Sequence, residues 1–242
     1  MGCSGCTKTD GCEANKGPQR TIIDSTLATV YPTLTWGEPD DQARFGAGLS
    51  PREVKRLARG LSAATRAPAF YRAGGPEDLC DYVYVLCMGR EPALVDVRDG
   101  LAEVEGDRIR ERYLRVHFST VARVACVQEV AMELDRAGDH CVVRELPLPG
   151  VYDALLLKRM RSIVDLVEAS DIEHLDFGMV DKAYPDAKPG DYVERYGVEP
   201  TIANFLFYPQ PARTMVTSVL SAASPRLLVD RADERGQGGV AP

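Results

Sequence analysis

No stretch of the chain approaches the roughly 18 consecutive apolar residues of a membrane-crossing helix, and the first residues lack the basic, apolar and small-residue regions of a secretory signal. Membrane insertion is therefore not expected. The G-x-x-x-x-G-K-[ST] loop, a G-x-G-x-x-G after a strand, the G-x-S-x-G elbow and the H-E-x-x-H helix are all missing. The common nucleotide-binding, hydrolase and metalloprotease readings accordingly have no local support. An excess of positive charge is lacking too. With 29 basic and 36 acidic side chains the net charge is -7, which repels phosphate backbones and leaves any nucleic-acid role to a local patch. No nucleic-acid partner is expected.

The best basic patch is "PREVKRLARG", where Arg52, Lys55, Arg56 and Arg59 lie beside an apolar stripe of Val54, Leu57, Ala58 and Leu61. Ser50 and Glu53 form a capping-box pair around Pro51. The expected reading is the solvated face of an amphipathic surface helix over 50–66, ahead of a nucleic-acid or partner surface.

Cysteine, by contrast, is plentiful. Seven occur, at positions 3, 6, 12, 80, 87, 126 and 141. An odd number cannot all pair within one chain, and free thiols suit a reducing compartment, so a cytoplasmic location is expected. Three of the seven open the chain in "MGCSGCTKTDGC". The C-x2-C pair of Cys3 and Cys6 lets one turn aim two thiolates at one centre, and five intervening residues let Cys12 fold back as a third. Soft thiolates suit an iron-sulfur cluster or zinc. Gly2, Gly5 and Gly11 each precede a cysteine, freeing backbone amides to turn toward the sulfurs, and this favours a cluster of the 4Fe-4S kind over zinc. A myristoylated terminus would want Ser or Thr at position 6, where Cys6 stands.

Cys80, after a Gly-Pro turn and just before a strand, is the first choice for a fourth ligand because a side chain at the end of a sheet can stay accessible. Cys141, beside His140, is the second. Asp10, Glu13 or an external ligand are the remaining options. Cys87 and Cys126 sit in apolar surroundings and are expected in the core. His117 alternates with Tyr113 and Arg115 and is expected to face away from the main apolar layer. His174 and Asp176 share a strand face, read as a surface pair rather than a catalytic one. No catalytic residue is assigned.

The chain divides into a cysteine-rich loop (1–20), an α/β domain (21–225) and a charged, Gly-rich tail (226–242). The pattern predicts a helix in "TIIDSTLATVY" ended by Pro32, a strand "DYVYVLCMG", a turn "GREP" and a strand "PALVDV". It continues with strand "RYLRVHF", helix 120–136, strand "CVVREL", helix 153–169 and strand "IEHLDF". A further strand "ANFLFY" and a helix starting near Pro211 complete it. The fold class expected is α/β: a single mixed sheet with a β-α-β-α-β parallel segment, preceded by the N-terminal cysteine-rich metal-binding loop. The resulting functional expectation is an iron-sulfur-binding electron-transfer or accessory subunit of a larger redox enzyme or protein complex. The alternatives are a non-redox accessory or interaction protein with a structural zinc site, and an enzyme with catalysis in the α/β body.

Overall fold

A computed structural model describes residues 16–40, 48–74, 78–87, 108–137, 140–147, 154–208 and 215–221. Cys3, Cys6, Cys12, Asp10, Glu13, the turn "GREP", the strand "PALVDV" and the tail 226–242 lie outside those residues.

The first element, α1 (Lys16–Val30), begins inside the segment assigned to the cysteine loop, so that loop reaches no further than residue 15. Ile23, Leu27 and Val30 recur at helical spacing and are buried together with Tyr31. Pro32 follows, with no amide hydrogen to continue the ladder. The second helix, α2 (Pro51–Thr65), has the capping box that its sequence announces: the Glu53 amide donates to Ser50 Oγ, and the Ser50 amide donates to Glu53 Oε2 at 3.0 Å. The Ser50 hydroxyl also donates to Glu53 Oε2 at 2.6 Å, and this bond first, then the one from the Ser50 amide, holds the Glu53 carboxyl below its ordinary range. Val54, Leu57 and Leu61 are buried, each burial stabilising the fold by roughly 1.5–3 kcal/mol.

Strands β1 (Ala69–Arg72), β2 (Cys80–Leu86), β3 (Arg108–Ser119), β4 (Val124–Ala137) and β5 (His140–Pro147) pair antiparallel in sequence order. Helix α3 (Ala154–Glu168) then leads into the short β6 (Glu173–Leu175), which runs parallel to the start of β4. Short helices α4 (Phe177–Val180), α5 (Tyr192–Tyr196) and α6 (Ile202–Leu206) precede β7 (Met215–Ser221), antiparallel to β5. The seven strands form one mixed sheet in the order β1-β2-β3-β4-β5-β7, with β6 beside β4. Strand β4 changes neighbour along its length: Val124–Cys126 face β6, whereas Val130–Ala137 face β5.

One mixed sheet carrying helices is what the pattern led us to expect, but the expected β-α-β-α-β parallel segment is not found among the described residues. Residues 120–136 are mostly strand rather than helix, so β3, β4 and β5 form an antiparallel meander, and the parallel pair among the described residues is β4 with β6. "ANFLFY" is mostly helix α6 rather than strand, and the helix expected from near Pro211 gives way, where described, to β7.

Each face of the sheet has its own apolar layer. Helices α2 and α3 cover one, over Val83, Val85, Cys87, Leu114, Val116 and Val127. Helix α1 and the segment 177–208 cover the other. Two close approaches fix the cover. A Cβ on Gly48 would fall 1.8 Å from the Thr120 carbonyl oxygen, so only glycine lets this segment pass. On the opposite face, Tyr31 donates to the Phe205 carbonyl at 2.8 Å and Ser119 donates to that of Leu206 at 2.8 Å, tying α6 to α1 and the sheet.

Candidate functional site

Because side chains alternate along a strand, pairing register alone places a set of polar groups on the α1 face. Tyr82, His117 and Cys126 lie side by side across β2, β3 and β4; Tyr84, Arg115 and Gln128 form the next row. Cys80 stands opposite Ser119 at the end. The cover adds Phe177, Phe207 and Tyr208, whose rings lie 6.3, 5.8 and 5.8 Å from the His117 ring. Tyr82 approaches it edge-on at 5.3 Å.

At the centre, Arg115 Nε donates to His117 Nε2 at 3.1 Å, and Arg115 Nη2 donates to Gln128 Oε1 at 2.7 Å. The guanidinium also sits 5.6 Å from the Tyr82 ring centroid. Accepting at Nε2 places the imidazole proton on Nδ1. His117 is fully buried, and burial first, then the Arg115 charge, holds its pKa well below the ordinary value. The imidazole is therefore neutral. Burial acts in the opposite direction on the acids: it pushes the Cys80 and Cys126 thiols and the Tyr82 and Tyr208 phenols up, keeping each protonated. Among the described residues, His117 Nδ1 and Tyr208 Oη are buried with no hydrogen-bond partner. This is a polar seam of neutral groups around one guanidinium, suited to fixing the register of three strands and their cover.

His117 faces away from the layer of Leu114, Val116 and Phe118, as expected, but the distant segment 177–208 builds a second core over it. Cys87 and Cys126 are buried as expected. Cys80 was expected to be accessible at the sheet end but is only 1% exposed, packed with Tyr82 and Cys126 in the α1-side core. Cys141 lies in β5, paired with Arg136 and Leu220. Cys3, Cys6 and Cys12 lie outside the described residues. Among the described residues no three His, Cys, Asp or Glu side chains are arranged to hold a metal, and no helix is long and apolar enough to cross a membrane.

One feature of the site is invisible in the sequence: where the cysteine loop is tethered. The Asp176 amide donates to Gln19 Oε1 at 3.2 Å, bringing the first turn of α1 to the corner between β6 and α4. Asp176 also caps α4 through the Met179 amide at 3.1 Å. Beside it, His174 is held below its ordinary pKa by burial, partly opposed by the Asp176 carboxylate, and among the described residues its Nε2 is buried without a hydrogen-bond partner. No protein-family model, curated protein or solved structure matches the chain.

Proposed function

We propose that the chain binds an iron-sulfur cluster, of the 4Fe-4S kind, through Cys3, Cys6 and Cys12, and acts as an electron-transfer or accessory subunit of a larger redox enzyme. The observation that carries this reading is the glycine-flanked C-x2-C-x5-C set, which ends only four residues before a helix anchored in the core. Four residues span at most about 14 Å. A centre at Cys12 is thus tied close to the start of α1 and has no long tether over which to wander.

Cys80, the first choice for the fourth position, is buried in the α1-side core. His174, whose Nε2 is buried without a hydrogen-bond partner among the described residues, is a second candidate. Cys80→Ser and His174→Ala test the two, the ligand being whichever substitution lowers the metal content.

The role itself is tested by deleting residues 2–15. Because the body's packing begins within α1, the truncated chain is expected to fold cooperatively by circular dichroism. It should no longer pass electrons to, or assemble with, a redox enzyme that the intact chain recovers from its native cell. Full partner assembly and electron transfer after truncation contradict the proposal.

A further inference from the structure

The outward face of α2 goes beyond that reading and depends on none of the loop cysteines. Opposite its buried Val54, Leu57, Ala58 and Leu61, the helix carries Arg52, Lys55, Arg56 and Arg59, all exposed. At 3.6 residues per turn these four fall on one stripe, about 10 Å long from Arg52 to Arg59. The neighbours at i,i+3 and i,i+4 (52 with 55 and 56; 59 with 55 and 56) are all of like charge, and such pairs destabilise a helix. The helix's single acid, Glu53, is turned aside: it bonds Ser50 and meets Arg123 Nη1 at 3.4 Å. Among the described residues Arg52, Arg56 and Arg59 form no ion pair.

A merely solvated face looks different, and the adjacent α3 provides the comparison. Its exposed charges are Lys158, Arg161, Asp165 and Glu168, two of each sign. On α2 the capping box, the approach of Gly60 to Leu166, where an added Cβ would fall 3.2 Å from Leu166 Cδ2, and the buried stripe hold a row of unmixed positive charge in place.

We propose that this face of α2 is a docking surface for an acidic protein. Charge and exposure favour that occupant over the other polyanions. A chain of net charge -7 repels extended nucleic acid and anionic bilayers over most of its surface, whereas a compact acidic patch engages the stripe alone. Among the described residues the exposed large apolar side chains are Leu155, Leu157, Val193 and Val198; none lies on α2, so the helix has no anchor to insert into lipid. The Tyr71 ring, buried beneath Lys55 with Nζ 5.0 Å from its centroid, offers no platform for an unstacked base.

The test uses the full chain and a fluorescein-labelled oligoglutamate as the probe, read by fluorescence anisotropy at low and high salt. The wild type should bind it, and added salt should weaken the complex. The Arg52→Glu/Arg56→Glu/Arg59→Glu variant should bind about tenfold or more weakly, in line with loss of electrostatic complementarity. The matched reversal Lys158→Glu/Arg161→Glu on α3 should change little. Circular dichroism checks folding, and Arg→Gln substitutions replace the glutamates if the triple reversal fails to fold. Equal binding by wild type and triple variant, or an equal loss on α3, overturns the proposal. Stripe-dependent binding in which duplex DNA or phosphatidylglycerol vesicles displace the oligoglutamate also overturns it, assigning the face to nucleic acid or membrane. Stripe-dependent self-association by light scattering overturns it in favour of a second copy of the chain.

Discussion

Acidification from about pH 7 to about pH 5 should cost the protein about 2 kcal/mol through His117 alone. The imidazole sits among Tyr82, Phe177, Phe207 and Tyr208, with the Arg115 guanidinium on its Nε2. Neither burial nor that charge tolerates a second positive charge. In the unfolded chain His117 takes up a proton near its ordinary value of 6.5. In the folded chain it does not. Between the two pKa values the unfolded state binds more protons, so stability falls as pH falls, starting near 6.5. The assay is urea denaturation at a series of pH values for the wild type and His117→Gln, whose side-chain oxygen still accepts from Arg115. Glu53, His174 and Asp181 titrate in both proteins and cancel in the difference. The wild type should lose about 2 kcal/mol more than the variant over this range. Parallel pH profiles would refute the reasoning, because the folded imidazole would then be titrating as it does in water.

Other substitutions probe the cover and the caps. Gly48→Ala should cost about 2 kcal/mol by forcing the chain off the Thr120 carbonyl, read as a lowered thermal midpoint. Ser50→Ala should cost about 1 kcal/mol through loss of the α2 cap, with the carboxyl of Glu53 returning toward its ordinary pKa by nuclear magnetic resonance titration. Tyr31→Phe breaks the bond to the Phe205 carbonyl and should cost about 1 kcal/mol in denaturant unfolding. Cys126→Ala should leave metal content unchanged while costing about 1 kcal/mol through lost packing.

Where a helix shows one apolar face to the sheet and the other to water, its sequence was readable: α1, α2 and α3 all announce themselves by spacing, and α2 by its capping box as well. Strand β4 was not, because its first half is buried on both faces. Cys126, Gln128 and Val130 meet the α1 side, while Ala125, Val127, Glu129 and Ala131 face the other way. Burial on both sides erases alternation, and the helix-forming Ala, Glu, Met and Leu of 125–134 then imitate a helical period. Helix α6 failed for the converse reason. All five of its residues are buried, so it shows no polar face, and its Phe205 with the Phe207 and Tyr208 that follow resembles a strand; the Thr201–Asn204 capping box was the signal to use. Alternation placed His117 on the face opposite Leu114, Val116 and Phe118, but its burial was not legible, because the cover comes from residues 177–208 and one strand's alternation cannot reveal a layer supplied so far along the chain. The thiol loop remains legible only as chemistry, through its spacing and its glycines.

The central claim, a cluster held by Cys3, Cys6 and Cys12, is tested most directly by counting metal and sulfide in anaerobically purified full-length protein while recording its electron paramagnetic resonance spectrum before and after reduction. The account predicts a brown protein with about four iron and four sulfide per chain, a signal that appears or disappears on reduction, and loss of both metal and signal in the Cys3→Ser, Cys6→Ser and Cys12→Ser variants. A colourless protein carrying zinc, or iron that persists in all three variants, would contradict it.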